Sequence, residues 1–325
     1  MSRAFTRVAA SALLAVVTVL AHAAAAPAAG AQDKKKKATP QGTPFLWAAP
    51  EDIARRDLFH GPGGRALLPD TSRVTFVEEE KGGYSTKYRI RDGAGRVWVA
   101  KVGKEAQSET AANRLVWAAG YPTEIVYLVP RLTIPGKGTF ENVRLEARPE
   151  GHRRLDEWKW NRNPFTGTKP MQGLVVMMAL LNNWDIKDSN NKIIYDEGRG
   201  ELRYVVSDLG ATFGRTGELA VFWLFTRSRN NPGDYAGSDF VEEVKHGRVH
   251  FTYGGKRQDL FDDISVEEAR WLGSWLSRLS DGQLADAFRA ANYTPEEVRT
   301  LSRAVRERIN ELAGLRGGGR IGRHD

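Results

Sequence analysis

Asp185, Lys187 and Asn190 fall within the six-residue run Asp185-Ile-Lys-Asp-Ser-Asn190, and Asp208-Leu-Gly210 follows a short way on. Phosphoryl transfer asks for this set of groups. A carboxylate orients the attacking hydroxyl, an ammonium neutralises the moving phosphoryl, and an amide oxygen with a second carboxylate holds a divalent metal ion; catalysis is then mostly positioning and charge neutralisation.

Such groups need elements to hold them. Leu174 to Leu181 form an apolar run that ends at Asn182-Asn183, which predicts a buried helix feeding a polar loop. Lys192–Tyr195 and Leu202–Ser207 read as two short strands joined by the turn-rich Asp196-Glu-Gly-Arg-Gly200. Upstream, Arg73–Val77, Thr86–Ile90 and Arg96–Lys101 read as three strands, separated by a turn at Gly82-Gly83 and another at Asp92-Gly-Ala-Gly95. A helix follows from Glu105, with Ala112, Leu115, Val116 and Ala119 at helical spacing and Gly120 as its stop.

Strand, Gly turn, strand, turn, strand, Lys, helix, and then helix, loop, hairpin, Asp-x-Gly: in this order the chain resembles the protein-kinase-like superfamily. It is most similar to the atypical branches, the HipA-like, phosphoinositide and secretory-pathway kinases. Asp208-Leu-Gly-Ala-Thr-Phe-Gly214 is similar to the extended Asp-x-Gly-x-x-Phe-Gly of those branches, and Val99-Ala100-Lys101 to part of Val-Ala-x-Lys. The resemblance implies an α+β, bilobal protein-kinase-like fold, with an antiparallel β-sheet N-lobe carrying one helix and a mostly helical C-lobe. It implies Asp185 and Lys187 as catalytic residues, Asn190 and Asp208 as holders of Mg²⁺ or Mn²⁺, and Lys101, Glu109, Gly82 and Gly83 around ATP. Glu105, one turn before Glu109, competes for Lys101 because the connection is short.

The sequence departs from ordinary kinases in places. Gly82-Gly83 is only part of a Gly-x-Gly-x-x-Gly loop, Asn183-Trp184 stands where a His-Arg pair precedes the catalytic Asp, and no Ala-Pro-Glu follows Asp208. No peptide-docking element is therefore expected, and the acceptor is left open among protein, lipid and small molecule. Arg215 to Lys256 would be the activation-segment equivalent.

Arg3 and Arg7 precede the apolar run Val8–Ala21 and a stretch of small residues, the layout of a secretory leader with cleavage after Ala23 or Ala31. The expectation is an exported protein, periplasmic or secreted. The chain has no cysteine, so stability must come from its core. Two positive charges lie in the leader and four in Lys34–Lys37, out of a net +8, which leaves the folded part mildly basic. The Lys34–Lys37 run reads as a solvated linker, able to touch an anionic membrane surface, and nucleic acid is not expected as a partner. The expected organisation is leader 1–31, linker and N-terminal extension 32–59, N-lobe 60–150, C-lobe 151–312 and a disordered tail 313–325.

Ser265-Val-Glu-Glu268 and Thr294-Pro-Glu-Glu297 read as capping boxes opening late helices, and Trp271, Leu272, Trp275, Leu276 and Leu279 as a core-facing stripe. His246 and His250 have the spacing of a metal pair, but Gly247–Tyr253 reads as a strand, which makes zinc the weaker reading. Asp188 is expected to face solvent. The function expected is transfer of a phosphoryl group from ATP to a hydroxyl acceptor. An ATP-poor exported compartment keeps two alternatives open: a catalytically inactive kinase-fold scaffold of the envelope, and a nucleotidyl (AMP) transferase on the same fold.

Overall fold

The computed structural model describes residues 40–81, 85–217 and 227–316. The leader, Lys34–Lys37, Gly82-Gly83, Phe222–Phe225 and the tail from 317 lie outside the described residues. The first strand, β1 (Thr43–Phe45), belongs to the folded unit, and Leu46, Ile53 and Leu58 after it are buried. The segment expected as linker and extension therefore contributes to the core from Leu46 onward. Five strands then build an antiparallel sheet in the order β2-β3-β4-β6-β5. They are β2 (Thr75–Glu80), β3 (Lys87–Arg91), β4 (Val97–Lys101), β5 (Val126–Ile134) and β6 (Gly138–Ala147). In β3, Tyr88 and Ile90 point inward between Lys87, Arg89 and Arg91, the two-residue alternation of a sheet with one covered face. β4 sits in the middle, and its buried run Trp98-Val-Ala-Lys101 shows that both faces are covered there.

One helix, α1 (Glu105–Ala118), packs against β5 and β6 and is buried along nearly its whole length. A helix buried on all sides must pair its polar side chains. Arg114 donates one arm to the Val126 carbonyl at 2.7 Å and Asn113 its amide to the Glu124 carbonyl at 3.1 Å, while Arg114 Nε and Nη1 and Asn113 Oδ1 find no hydrogen-bond partner among the described residues. Burial pulls the Arg114 guanidinium down to about 10.

After β7 (His152–Arg154), the second half is mostly helical. It holds α2 (Lys169–Leu180), the hairpin β8 (Asn191–Asp196) and β9 (Glu201–Val206), α3 (Pro232–Ala236), and the hairpin β10 (Val241–Lys245) and β11 (Arg248–Phe251). Three helices close the fold: α4 (Val266–Leu276), α5 (Asp281–Arg289) and α6 (Pro295–Gly314). The α+β order expected from sequence, an antiparallel sheet with one helix followed by a helical part, is the order observed. β1 adds in parallel to β9, giving a small sheet β1-β9-β8-β7.

All three closing helices start in capping boxes: Ser265/Glu268 and Thr294/Glu297 as expected, and Ser280/Gln283 in addition. Each cap satisfies amides that the first turn leaves open, typically for about 1 kcal/mol. Leu272, Leu276 and Leu279 are in the core, whereas Trp271 and Trp275 are half-buried and meet Trp47 tilted and edge-on, with ring centroids 4.9 and 5.7 Å apart. Gly173 of α2 makes that packing geometrically feasible, since a Cβ there would lie 2.3 Å from the Trp271 ring. Trp158 and Trp160, in the Asn-rich stretch between the halves, are buried in the same core, and Trp158 donates to the Val205 carbonyl at 3.0 Å. His246 occupies the β10–β11 turn (φ 50°) and His250 lies on β11, so the two do not share a helix face. No helix among the described residues is long and apolar enough to cross a membrane.

Candidate active site

Lys101 closes β4, opposite Lys87 on β3 and Arg144 on β6. Its ammonium lies 2.8 Å from Glu109 Oε2, 3.0 Å from Glu105 Oε2 and 3.5 Å from Asp208 Oδ1. Both candidate partners therefore meet the lysine. The cause is the tight connection, in which Gly103 (φ 122°) turns the chain so that α1 begins at Glu105 and Glu109 follows one turn later on the same face. Glu105 is shared further, accepting the Ser85 hydroxyl at 2.8 Å and pairing with Arg229. Asp208-Leu-Gly210 presses on this helix. A Cβ on Gly210 would lie 2.8 Å from Glu105 Cβ, and the Gly210 carbonyl accepts the Ser108 hydroxyl at 2.9 Å.

The second end of the site is built after α2. Asn182 adopts the left-handed conformation (φ 51°), the chain leaves the helix, and Asp185 to Asn190 form a loop that ends in a single 3₁₀ turn. Asn190 donates its side-chain amide to the Asp185 carbonyl at 2.8 Å, and its own carbonyl accepts the amides of Ser207 and Asp208. Loop and Asp-x-Gly turn are thus tied together through one asparagine. The Asp185 carboxylate is held on both oxygens, by Lys187 at 3.0 Å on Oδ2 and by Lys256 at 2.5 Å on Oδ1. Partial burial pushes its pKa up, but the hydrogen bonds and charges of Lys256 and Lys187 outweigh that and hold it below the usual carboxylate range. Asp185 is consequently ionised at neutral pH, the state an acceptor-orienting base requires. Asp188, expected in solvent, instead accepts the Trp160 amide at 3.2 Å and pairs with Arg257 at 3.3 Å, which gives it a structural task in the loop.

Lys101, Glu109, Asp185, Lys187, Asn190 and Asp208 line one cleft of about 600 Å³. Gly82 and Gly83 are outside the described residues. Clefts of this size accept nucleotide-sized ligands. The donor set also fits a hard divalent cation. Asn190 has its nitrogen committed to Asp185, which leaves the amide oxygen as its coordinating end, and the Asp208 side chain is half-exposed to the cleft. Among the described residues there is no group of three or more His, Cys, Asp and Glu arranged to hold a metal. One carboxylate and one amide oxygen is a sparse set, the kind Mg²⁺ uses when waters and substrate phosphates fill its other positions.

No protein-family model matches this sequence, and no curated protein matches it. Among solved structures, the chain is similar to the crystal structure of a Helicobacter pylori proinflammatory kinase, CtkA, with 11% identity and a TM-score of 0.47 over 76% of this chain and 97% of that one. Nothing about the chemistry of this chain follows from that likeness.

Several residues of the cleft escaped sequence reasoning. Arg144 pairs with Glu109 at 3.2 Å, Glu124 at 3.1 Å and Glu146 at 3.0 Å, while Arg148 and Arg154 close on Glu146 and Glu124 from the other side. Arg154 lines the cleft from β7 and donates to the Ser207 hydroxyl at 2.7 Å. Burial pushes the Glu124 carboxyl up, but the three arginines and the Ser207 hydroxyl hold it below its ordinary value. Burial likewise lowers Arg148, to about 10, against the opposing charge of Glu124. A signal existed in Arg144-x-Glu146-x-Arg148, three charges at two-residue spacing where a buried strand ends, so that all three face one way. Lys256 and Arg229 had no comparable local signal.

Proposed function

We propose that this protein is an exported phosphotransferase of the protein-kinase-like kind, moving a phosphoryl group from ATP to a hydroxyl acceptor, with residues 60–150 serving as N-lobe and 151–312 as C-lobe. The observation that carries the reading is that Lys101 with Glu109, the Asp185 loop and Asp208, from separate stretches of the chain, border a single cleft. In the reaction, Asp185 accepts the acceptor hydroxyl's proton. The hydroxyl oxygen's electron pair forms the new O–P bond, and the bond to ADP breaks with its pair leaving on ADP. Lys187 neutralises the phosphoryl in transit, and Lys101, oriented by Glu109 and Glu105, binds the donor phosphates. Asn190 and Asp208 would hold Mg²⁺ or Mn²⁺, which supplies charge neutralisation on the phosphate oxygens. Gly82 and Gly83 would cover the phosphates with backbone amides.

Incubation of the purified chain with γ-labelled and α-labelled ATP, in Mg²⁺ or Mn²⁺, tests this. Transfer of the γ label to a hydroxyl supports the reading, transfer of the α label replaces it with nucleotidyl transfer, and absence of binding leaves a scaffold.

A further inference from the structure

The Asp185 carboxylate is met by two lysines, and only Lys187 is local. Lys256 arrives from 71 residues away, on the segment that follows β11. That segment is fastened to the catalytic loop at several points. The Lys256 amide donates to the Trp184 carbonyl at 2.8 Å, and the Tyr253 hydroxyl reaches the Asn183 carbonyl at 2.7 Å and the Lys256 carbonyl at 3.1 Å. Arg257, in the left-handed region at φ 55°, spans Asp188 and Asp259.

The approach is close enough to dictate residue type. A Cβ on Gly254 would lie 1.8 Å from the Gly217 carbonyl, and one on Gly255 would lie 2.7 Å from Trp184 Cα. Two glycines and a left-handed arginine thus bring one ammonium to one carboxylate oxygen. Stability is a poor explanation for that arrangement. The Lys256 side chain is 48% exposed, and an ion pair in such a setting contributes at most about 1 kcal/mol.

Resting on the phosphotransferase reading, we propose that Lys256 is a positioning residue for Asp185, which holds Oδ1 so that Oδ2 can serve as the base. The division of labour between the lysines explains why two are present. When donor phosphates enter, Lys187 turns to the phosphoryl and releases Oδ2, which then takes the proton of the acceptor hydroxyl. Lys256 stays on Oδ1 and keeps the carboxylate from swinging out of line. In this role it acts through Asp185.

The test compares Lys256→Met and Lys256→Arg in the full chain with γ-labelled ATP and Mg²⁺, reading label released to water or transferred to the chain itself. Lys256→Met is expected to lower kcat about 100-fold, the scale of a misplacement near 1 Å, with KM for ATP within about twofold. Its Tm should change by no more than about 3 °C, as for loss of an exposed pair. Lys256→Arg should recover at least a tenth of the wild-type rate. An undiminished kcat in Lys256→Met overturns the proposal, as does an equal loss in both variants with a collapse in Tm. Should the wild-type chain move no label, the phosphotransferase reading fails, and the clamp is then read alone. The Lys256 side-chain ¹⁵N ammonium resonance, assigned by its loss in Lys256→Met, is expected in the wild type and missing in Asp185→Asn. Its absence from the wild type overturns the clamp.

Discussion

The two ends of the cleft hold their charges differently. At the Lys101 end the ammonium is 5% exposed and its partner Glu109 3%, and behind them Arg144, Glu124 and Glu146 continue a buried ionic network toward β7. At the Asp185 end both lysines are nearly half-exposed. A buried network is rigid because each member removed strands another charge without water, whereas an exposed clamp can exchange partners at little cost. The Lys101 end is therefore part of the protein's stability, and the Asp185 end is mounted on that stable floor.

This contrast can be broken by substitution. Glu109→Ala leaves Lys101 and Arg144 facing a lost carboxylate in the interior and should lower unfolding free energy by about 3–5 kcal/mol in a denaturant titration. Asp185→Asn should do the reverse, reducing label transfer by about a thousandfold while leaving the denaturation midpoint within experimental scatter. Gly210→Ala sets a methyl 2.8 Å from Glu105 Cβ and should cost about 1–3 kcal/mol, together with weaker ATP binding as the turn is pushed off α1.

Acid sharpens the comparison with the smallest effect. The Glu124 carboxyl is depressed, so its contribution is complete above its ordinary value of 4.5 and is lost as the pH falls through the lower folded value. Asp185 is depressed too, and its contribution is likewise complete above its ordinary 3.8. Stability should thus decline only below about pH 4.5 from these two groups. Glu124→Gln should flatten that decline in a series of melts, and Asp185→Asn should scarcely alter it, because half-exposed partners screen the pair.

Much of this site was legible because its chemistry is local. Asp185, Lys187 and Asn190 share one loop, Asp208 and Gly210 one turn, and Lys101 is followed almost at once by the helix bearing Glu105 and Glu109, so their order along the chain, with the resemblance it carries, was enough to single them out. The tie between Glu105 and Glu109 could not be broken from sequence, since the sharp turn at Gly103 is what gives Lys101 both. Lys256 and Arg229 were illegible for the opposite reason: their partners lie 71 and 124 residues away, and nothing in Tyr253–Arg257 or Ser228–Asn230 signals a carboxylate at that distance. Arg154 carried no signal either, since a strand's polar residues usually face solvent, and only the pairing of β7 with β8 brings it to the cleft. β1 was hidden in a stretch that looked like linker, being three residues long and paired to a strand far along the chain.

Calorimetric titration of ATP into the wild type and Asp208→Asn, each with and without Mg²⁺, tests the central claim most directly. The account predicts metal-dependent binding to the wild type and at least a tenfold loss in Asp208→Asn at unchanged Tm. Equal binding by the two proteins, or binding indifferent to Mg²⁺, would contradict it.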